Sequence, residues 1–71
     1  MSKAEEARRK YNIAKELICL NLEKSMGAEA FNHLVLIRGG DKDILLEHMK
    51  ALEKIFKDAI IYLEYLINKD K

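Results

Sequence analysis

The chain has 71 residues, of which 13 are Lys or Arg, 12 are Asp or Glu, and 49% are apolar. This length limits it to a single domain, 1–71, and this composition excludes an intrinsically disordered chain. The net charge of +1 argues against a protein that acts by bulk electrostatics on nucleic acid or on a membrane surface. One cysteine cannot form an internal disulfide, which favours a reducing, cytoplasmic setting. No apolar run of membrane-spanning length and no signal-peptide pattern is found.

The first predicted helix begins almost at the N-terminus. Ser2 and Glu5 have the spacing of a capping box, which predicts the start of this helix. Gly27 predicts its end, as the first residue past the helix C-terminus. Ile13 and Leu20 form a second apolar strip beside the main one. The main strip consists of Ala4, Ala7, Tyr11, Ala14, Leu17, Ile18 and Leu22, with Asn21 among them.

A short second helix is predicted from Ala28 to Arg38, because its apolar residues recur at helical spacing. Its LVLI core also suits a strand, but the chain offers no second strand to pair with, so a helix is preferred. Gly39 and Gly40 predict a C-cap, and Asp41 predicts the N-cap of the next helix, so the chain turns here. The apolar side consists of Ala30, Phe31, Leu34 and Ile37.

The stretch from Asp41 to Lys69 predicts one continuous third helix. It contains no Gly or Pro, it is rich in good helix formers, and its apolar residues recur at helical spacing. The apolar side spans roughly 160° at 100° per residue, which is wider than the stripe of an ordinary surface helix. Ile61 and Tyr65 point toward the polar side, so the segment AIIYLEYLI is apolar almost all round. Such a segment is expected to be buried on more than one side.

These elements predict an all-α fold of three helices, long, short and long, about 36, 16 and 42 Å in length at 1.5 Å per residue. Two long helices alone cannot enclose their own apolar faces. In addition, a lone core in a chain this small rarely supplies more than about 3–5 kcal/mol. We therefore expect a helical bundle completed by homodimerisation, with a four-helix core of C2 symmetry.

The excess of apolar helix surface favours a non-enzymatic protein–protein interaction or regulatory module. It would bury its C-terminal helix against a second copy, in a homodimer, or against another helical protein. Asn21 lies on an apolar strip, where its side chain either pairs with its symmetry mate and fixes the register, or caps a turn or faces water at the rim. The predicted interface consists of Leu52, Phe56, Ile60, Ile61, Tyr62, Leu63, Tyr65, Leu66 and Ile67, together with Asn21.

A cluster of basic residues in the first helix gives the alternative function, a small dimeric nucleic-acid-binding regulator. Glu5 and Glu6 occupy the same turns, so a solvated face with i,i+4 ion pairs is the favoured interpretation of this cluster. The helix–Gly–Gly–helix outline is similar to a helix-turn-helix, but Asp43 and Glu47 at the start of the last helix would repel phosphate. The basic residues are Arg8, Arg9, Lys10 and Lys15.

Three side chains of metal-ligating type, Cys19, His33 and His48, match no compact metal motif in their spacing. We therefore expect no metal and no cofactor. His48 is expected to be a hydrogen-bonded core histidine, His33 to be partly exposed, and Cys19 to be a semi-exposed thiol. A nucleophile needs a base and a third group that orients the base. No such set is evident, so we do not expect an enzyme.

Overall fold

A computed structural model describes residues 2–69, which form four α-helices. They are α1 (Lys3–Lys24), α2 (Ala28–Arg38), α3 (Lys42–Lys50) and α4 (Glu53–Lys69). The all-helical class is as predicted, but the bundle has four helices from one chain rather than three. The antiparallel pair of α1 and α4 is the most extensive packing, α3 packs on α4, and α2 closes the bundle against α1 and α3. Among the described residues, no helix is both long and apolar enough to cross a membrane.

The start of α1 is as predicted, but its end is not. The Glu5 backbone N–H donates to Ser2 Oγ at 3.2 Å, which caps the helix. At the other end, the Ser25 hydroxyl and the Ser25 backbone N–H both donate to the Asn21 carbonyl, at 3.0 and 3.1 Å. These two bonds close α1 at Lys24, before Gly27 is reached. Gly27, with φ +153°, instead precedes the first residue of α2.

The turn between α2 and α3 follows the prediction. The Asp41 N–H donates to the Leu36 carbonyl at 2.9 Å and the Gly40 N–H donates to the Ile37 carbonyl at 3.1 Å. This bond pattern is a Schellman motif, which requires a left-handed residue at the position of Gly40, where φ is +104°. The Asp41 side chain then accepts from the Ile44 N–H at 3.0 Å and begins α3.

The prediction of one continuous C-terminal helix was wrong, because the chain breaks at residues 51–52. The Leu52 N–H donates to the Met49 carbonyl at 3.0 Å, and the Leu52 carbonyl accepts the first bonds of α4. In the part of the chain that the structure describes, no backbone bond runs from the N–H of Glu53 or Lys54 back to α3. Phe56, at φ −106° and ψ 23°, adds a kink within the first turns of α4.

Core packing explains the break, since no Gly or Pro occurs there. A straight helix would carry α3 away from the bundle, whereas the break lets Leu45 and Met49 pack into the same core as Leu63 of α4. Full burial of Leu45 and Met49 together contributes about 3–6 kcal/mol, which exceeds the roughly 1–3 kcal/mol lost with the two backbone bonds that Glu53 and Lys54 do not make to α3. The core consists of Ala14, Ile18, Cys19, Leu22, Leu34, Ile37, Leu45, Met49, Ala59, Ile60 and Leu63.

Candidate interaction surface

Large apolar side chains that the core does not cover gather along the outer side of α1 and α4. Eleven such side chains are exposed in residues 2–69, and seven of them belong to α1, to the α3–α4 turn or to α4. The most exposed of the seven is Ile55, at 73%. We call these seven residues the α1–α4 face: Ile13, Leu17, Leu20, Leu52, Ile55, Ile61 and Tyr65.

Two open grooves along the seam between α1 and α4 show that four of these residues share one side of the molecule. Ile13 and Ile55 line the first groove, of about 260 Å³. Ile61 and Tyr65 line the second, of about 500 Å³, opposite the first turns of α1. Leu17 and Leu20 follow Ile13 at helical spacing, so they continue the same side of α1.

The boundary between the two grooves is an ion pair. Lys10 Nζ lies 2.8 Å from Asp58 Oδ2 and 3.6 Å from Glu6 Oε1, and both Lys10 and Asp58 line both grooves. The hydrogen bond to Asp58 raises the pKa of Lys10, and the same bond lowers the pKa of Asp58. An exposed pair of this kind contributes little to folding stability. It places one positive and one negative charge between the two grooves.

A ring contact between Tyr11 and Tyr62 joins α1 to α4 at the second groove, and Tyr65 of α4 lies next to Tyr62. The rings of Tyr11 and Tyr62 have centroids 5.3 Å apart, and those of Tyr62 and Tyr65 are 6.4 Å apart. Tyr11 is half-buried, and burial raises the pKa of its hydroxyl. This chain of ring contacts positions Tyr65 at the edge of the groove, with 57% of its surface exposed.

The interface residues predicted from the sequence divide into three groups. Leu52, Ile61 and Tyr65 are exposed and belong to the α1–α4 face. Ile60 and Leu63 are 5% and 0% exposed, because the chain's own helices pack on them, so a partner has almost nothing of them to cover. The remaining residues on α4 are half-buried at the edge of the core: Phe56, Tyr62, Leu66 and Ile67.

Two features of α1 bear on the same surface. Asn21 is exposed, and its backbone carbonyl accepts the bonds from Ser25 that end the helix. Ile13, Leu17 and Leu20 were not among the predicted interface residues. The signal for them was present, since Ile13 and Leu20 form the second apolar strip of this helix.

The basic residues of α1 do not form one free cationic face. Lys10 is bound to Asp58 and Glu6, and Lys15 is half-buried. Arg8 and Arg9 are exposed, but adjacent residues on a helix point about 100° apart. Phosphate contacts from this helix would therefore rest on two arginines that diverge.

The two histidines meet between α2 and α3. His33 Nδ1 and His48 Nε2 are 3.0 Å apart, and the rings are arranged edge to face. Burial and, second, the charge of His33 lower the pKa of His48. Both side chains are half-buried, as expected for His33. His48 is hydrogen-bonded as predicted, but it lies at the edge of the core and not within it. Within residues 2–69 no three His, Cys, Asp or Glu side chains converge on a point that could hold a metal ion.

Cys19 corrects a prediction, because it is 4% exposed rather than semi-exposed. The helix α2 covers this side of α1, where Arg38 of α2 is paired with Glu23 of α1.

No family model matches the chain, and no curated protein or solved structure has significant similarity to it. A function therefore has to be inferred from the surfaces described above.

Proposed function

We propose that this chain is a non-enzymatic protein-interaction module that buries its α1–α4 face in a homo- or hetero-oligomeric helical assembly. The observation that supports this proposal is the concentration of exposed apolar side chains on one side of a small chain. Single exposed apolar residues are normal on a protein surface. A contiguous apolar patch with a polar rim marks a binding surface.

The composition of this face suits a protein partner. Aromatic side chains are enriched at the centre of protein interfaces and charged residues are depleted there; on this face the Lys10–Asp58 pair is the exception. Tyr65 supplies a rigid aromatic ring beside an apolar groove, and Ile55 and Ile61 supply branched aliphatic side chains. Lys3 and Glu6 lie at the edge of the larger groove, where they would form part of a polar rim.

Replacement of Ile61 and Tyr65 by alanine tests this function. Both residues are more than half exposed, so the double variant should keep its helicity while losing association, by at least about tenfold for each hot-spot contact removed. The measurement is retention of untagged chain and of other proteins on immobilised wild-type and variant chains. Phe31→Ala is the matched control, because Phe31 is an exposed apolar residue on α2, outside the face.

Retention that is the same for the double variant and for the wild type would exclude this surface. The nucleic-acid alternative is separated by a gel-shift titration at low and moderate salt, since phosphate contacts weaken steeply as salt rises. We expect no salt-sensitive complex. Such a complex, lost on replacement of Arg8 and Arg9 by alanine, would favour the alternative instead.

A further inference from the structure

We infer that the occupant of the α1–α4 face is a second copy of this chain, related by a two-fold axis that runs along the seam between α1 and α4. In this dimer α1 of each copy lies over α4 of the other, and each Lys10 faces Asp58 of the second copy. The inference rests on the proposed function, because it names the partner of the same surface. Three observations support it: the exposed area, the register of the seam and the pattern of charge.

The chain as a whole exposes more surface than a compact monomer of its mass. It exposes 5355 Å², whereas a compact monomer of 8.3 kDa exposes about 4,600 Å². This excess over the whole chain, about 800 Å², is comparable with the area that each partner contributes to a standard interface. The radius of gyration, 12.1 Å, is likewise larger than the roughly 11 Å expected for 71 residues.

The register of the seam repeats about the ion pair. On α1, Lys10 has Ala7 three residues before it and Ile13 three residues after it; on α4, Asp58 is flanked in the same way by Ile55 and Ile61. Rotation about a two-fold axis along the seam leaves each residue at the same height along that axis and places α1 of one copy over α4 of the other. Ile13 then lies over the second copy's Ile55, Ala7 lies over its Ile61, and the two ion pairs lie over each other.

Charge favours this arrangement over one in which the axis crosses the seam at the level of the ion pair. In that case α1 would lie over α1, and each Lys10 would face the second copy's Lys10. Asp58 would likewise face Asp58, and such like-charge contacts oppose association. With the axis along the seam, the two ion pairs form a ring of alternating charge. The face is then self-complementary, as a two-fold interface requires.

The larger groove gives this dimer its shape complementarity. Ala7 is small and leaves open space beside Ile61 and Tyr65, in a groove of about 500 Å³. When α4 of the second copy lies over α1, its own Ile61 and Tyr65 side chains enter this groove. The two pairs of α1 and α4 then form a four-helix core in which neighbouring helices are antiparallel, as in a four-helix bundle.

The first experiment is the mass in solution by sedimentation equilibrium over a concentration series. We expect twice the chain mass of 8.3 kDa. Ile55→Ser should raise the dissociation constant at least about tenfold, because it removes the most exposed apolar side chain of the face. Val35→Ser, on α2, is the matched control and should leave the dissociation constant unchanged. Far-UV circular dichroism checks that each variant is folded.

The charge pattern is tested by mixing two variants. Lys10→Glu leaves only acidic groups at the pair, and Asp58→Lys leaves only basic ones, so each variant alone should dimerise at least about tenfold more weakly. An equimolar mixture should recover a heterodimer of twice the chain mass. No recovery on mixing would overturn the contact between Lys10 and Asp58 of the second copy.

Two outcomes separate this inference from the proposed function. A wild-type chain that stays at 8.3 kDa up to about 1 mM overturns the second copy as the occupant. If Ile61→Ala and Tyr65→Ala still abolish binding of a different protein, the proposed function stands without the dimer. A dimer that Ile55→Ser does not weaken is built on another surface, which overturns the second copy as the occupant of the α1–α4 face; the proposed function is judged separately, by the loss of binding in the Ile61→Ala and Tyr65→Ala variant.

Discussion

Replacement of Glu53 by proline tests the break between α3 and α4. Glu53 is the first residue of α4, and its N–H donates no backbone bond to α3 in residues 2–69. Proline is favoured at the first position of a helix, because it lacks an N–H and its fixed φ suits the first turn. Glu53→Pro should therefore change the free energy of unfolding by no more than about 1 kcal/mol. Part of that change comes from the loss of the Glu53 carboxylate, because a negative charge near a helix N-terminus is stabilising.

A continuous helix from Asp41 to Lys69 would give the opposite result. Proline in a helix interior removes one backbone bond and clashes with the preceding turn, which costs about 3 kcal/mol or more. Glu64→Pro provides this comparison within the same chain, because Glu64 is also an exposed glutamate but lies in the interior of α4. Glu53→Ala and Glu64→Ala separate the loss of the carboxylate from the effect of the ring.

Urea denaturation followed by circular dichroism at 222 nm measures all four variants at one protein concentration. The concentration has to be fixed because association would add to apparent stability. We expect the proline variant at 53 to unfold near the wild type and the one at 64 to be destabilised by about 3 kcal/mol. Equal, large losses at both positions would refute the break and restore the single long helix.

Three further predictions concern the core and the titratable groups. Leu63→Ala should destabilise the chain by about 2–5 kcal/mol in urea denaturation, whereas Ile61→Ala, two residues earlier, should cost about 0.5 kcal/mol. Stability should fall as the pH drops below about 6.5, the ordinary pKa of histidine. The folded-state pKa of His48 is lowered, so the unfolded chain takes up the proton first, and urea midpoints at pH 7.5 and 5.5 measure the loss. His48→Gln should reduce this difference, and a pH-independent wild type would contradict the assignment. Cys19 should react with a thiol reagent only as the chain opens, so a burst of labelling in the native state would contradict its burial.

Local rules account for the parts of the fold that were predicted correctly. Ser2 and Asp41 cap their helices because a short polar side chain before an apolar periodic stretch satisfies the first free N–H groups. The turn at Gly39 and Gly40 follows from the left-handed conformation that only glycine adopts readily. Each of these signals depends on a few neighbouring residues, so the sequence alone contains it.

The features that were missed depend on contacts between distant residues. Residues 51–52 are Ala and Leu, which favour helix, so the break there is a consequence of packing and leaves no local mark. Cys19 was placed toward solvent by its helical angle, and only the position of α2 buries it. The meeting of His33 with His48 likewise needs α2 and α3 to fold back on each other, 15 residues apart in the chain.

The break also explains why the exposed face lies where it does. In a continuous helix Leu52 would share the apolar stripe of Met49 and Phe56, and a core or a partner would have to cover them together. In the folded chain Met49 is fully buried, Phe56 is half-buried, and Leu52 is exposed beside Ile55. The chain that bends to close its own core thus leaves both side chains exposed, and Ile55 lines a groove together with Ile13 of α1. Residues predicted as one partner-covered helix are divided between the core of the chain and its exposed α1–α4 face.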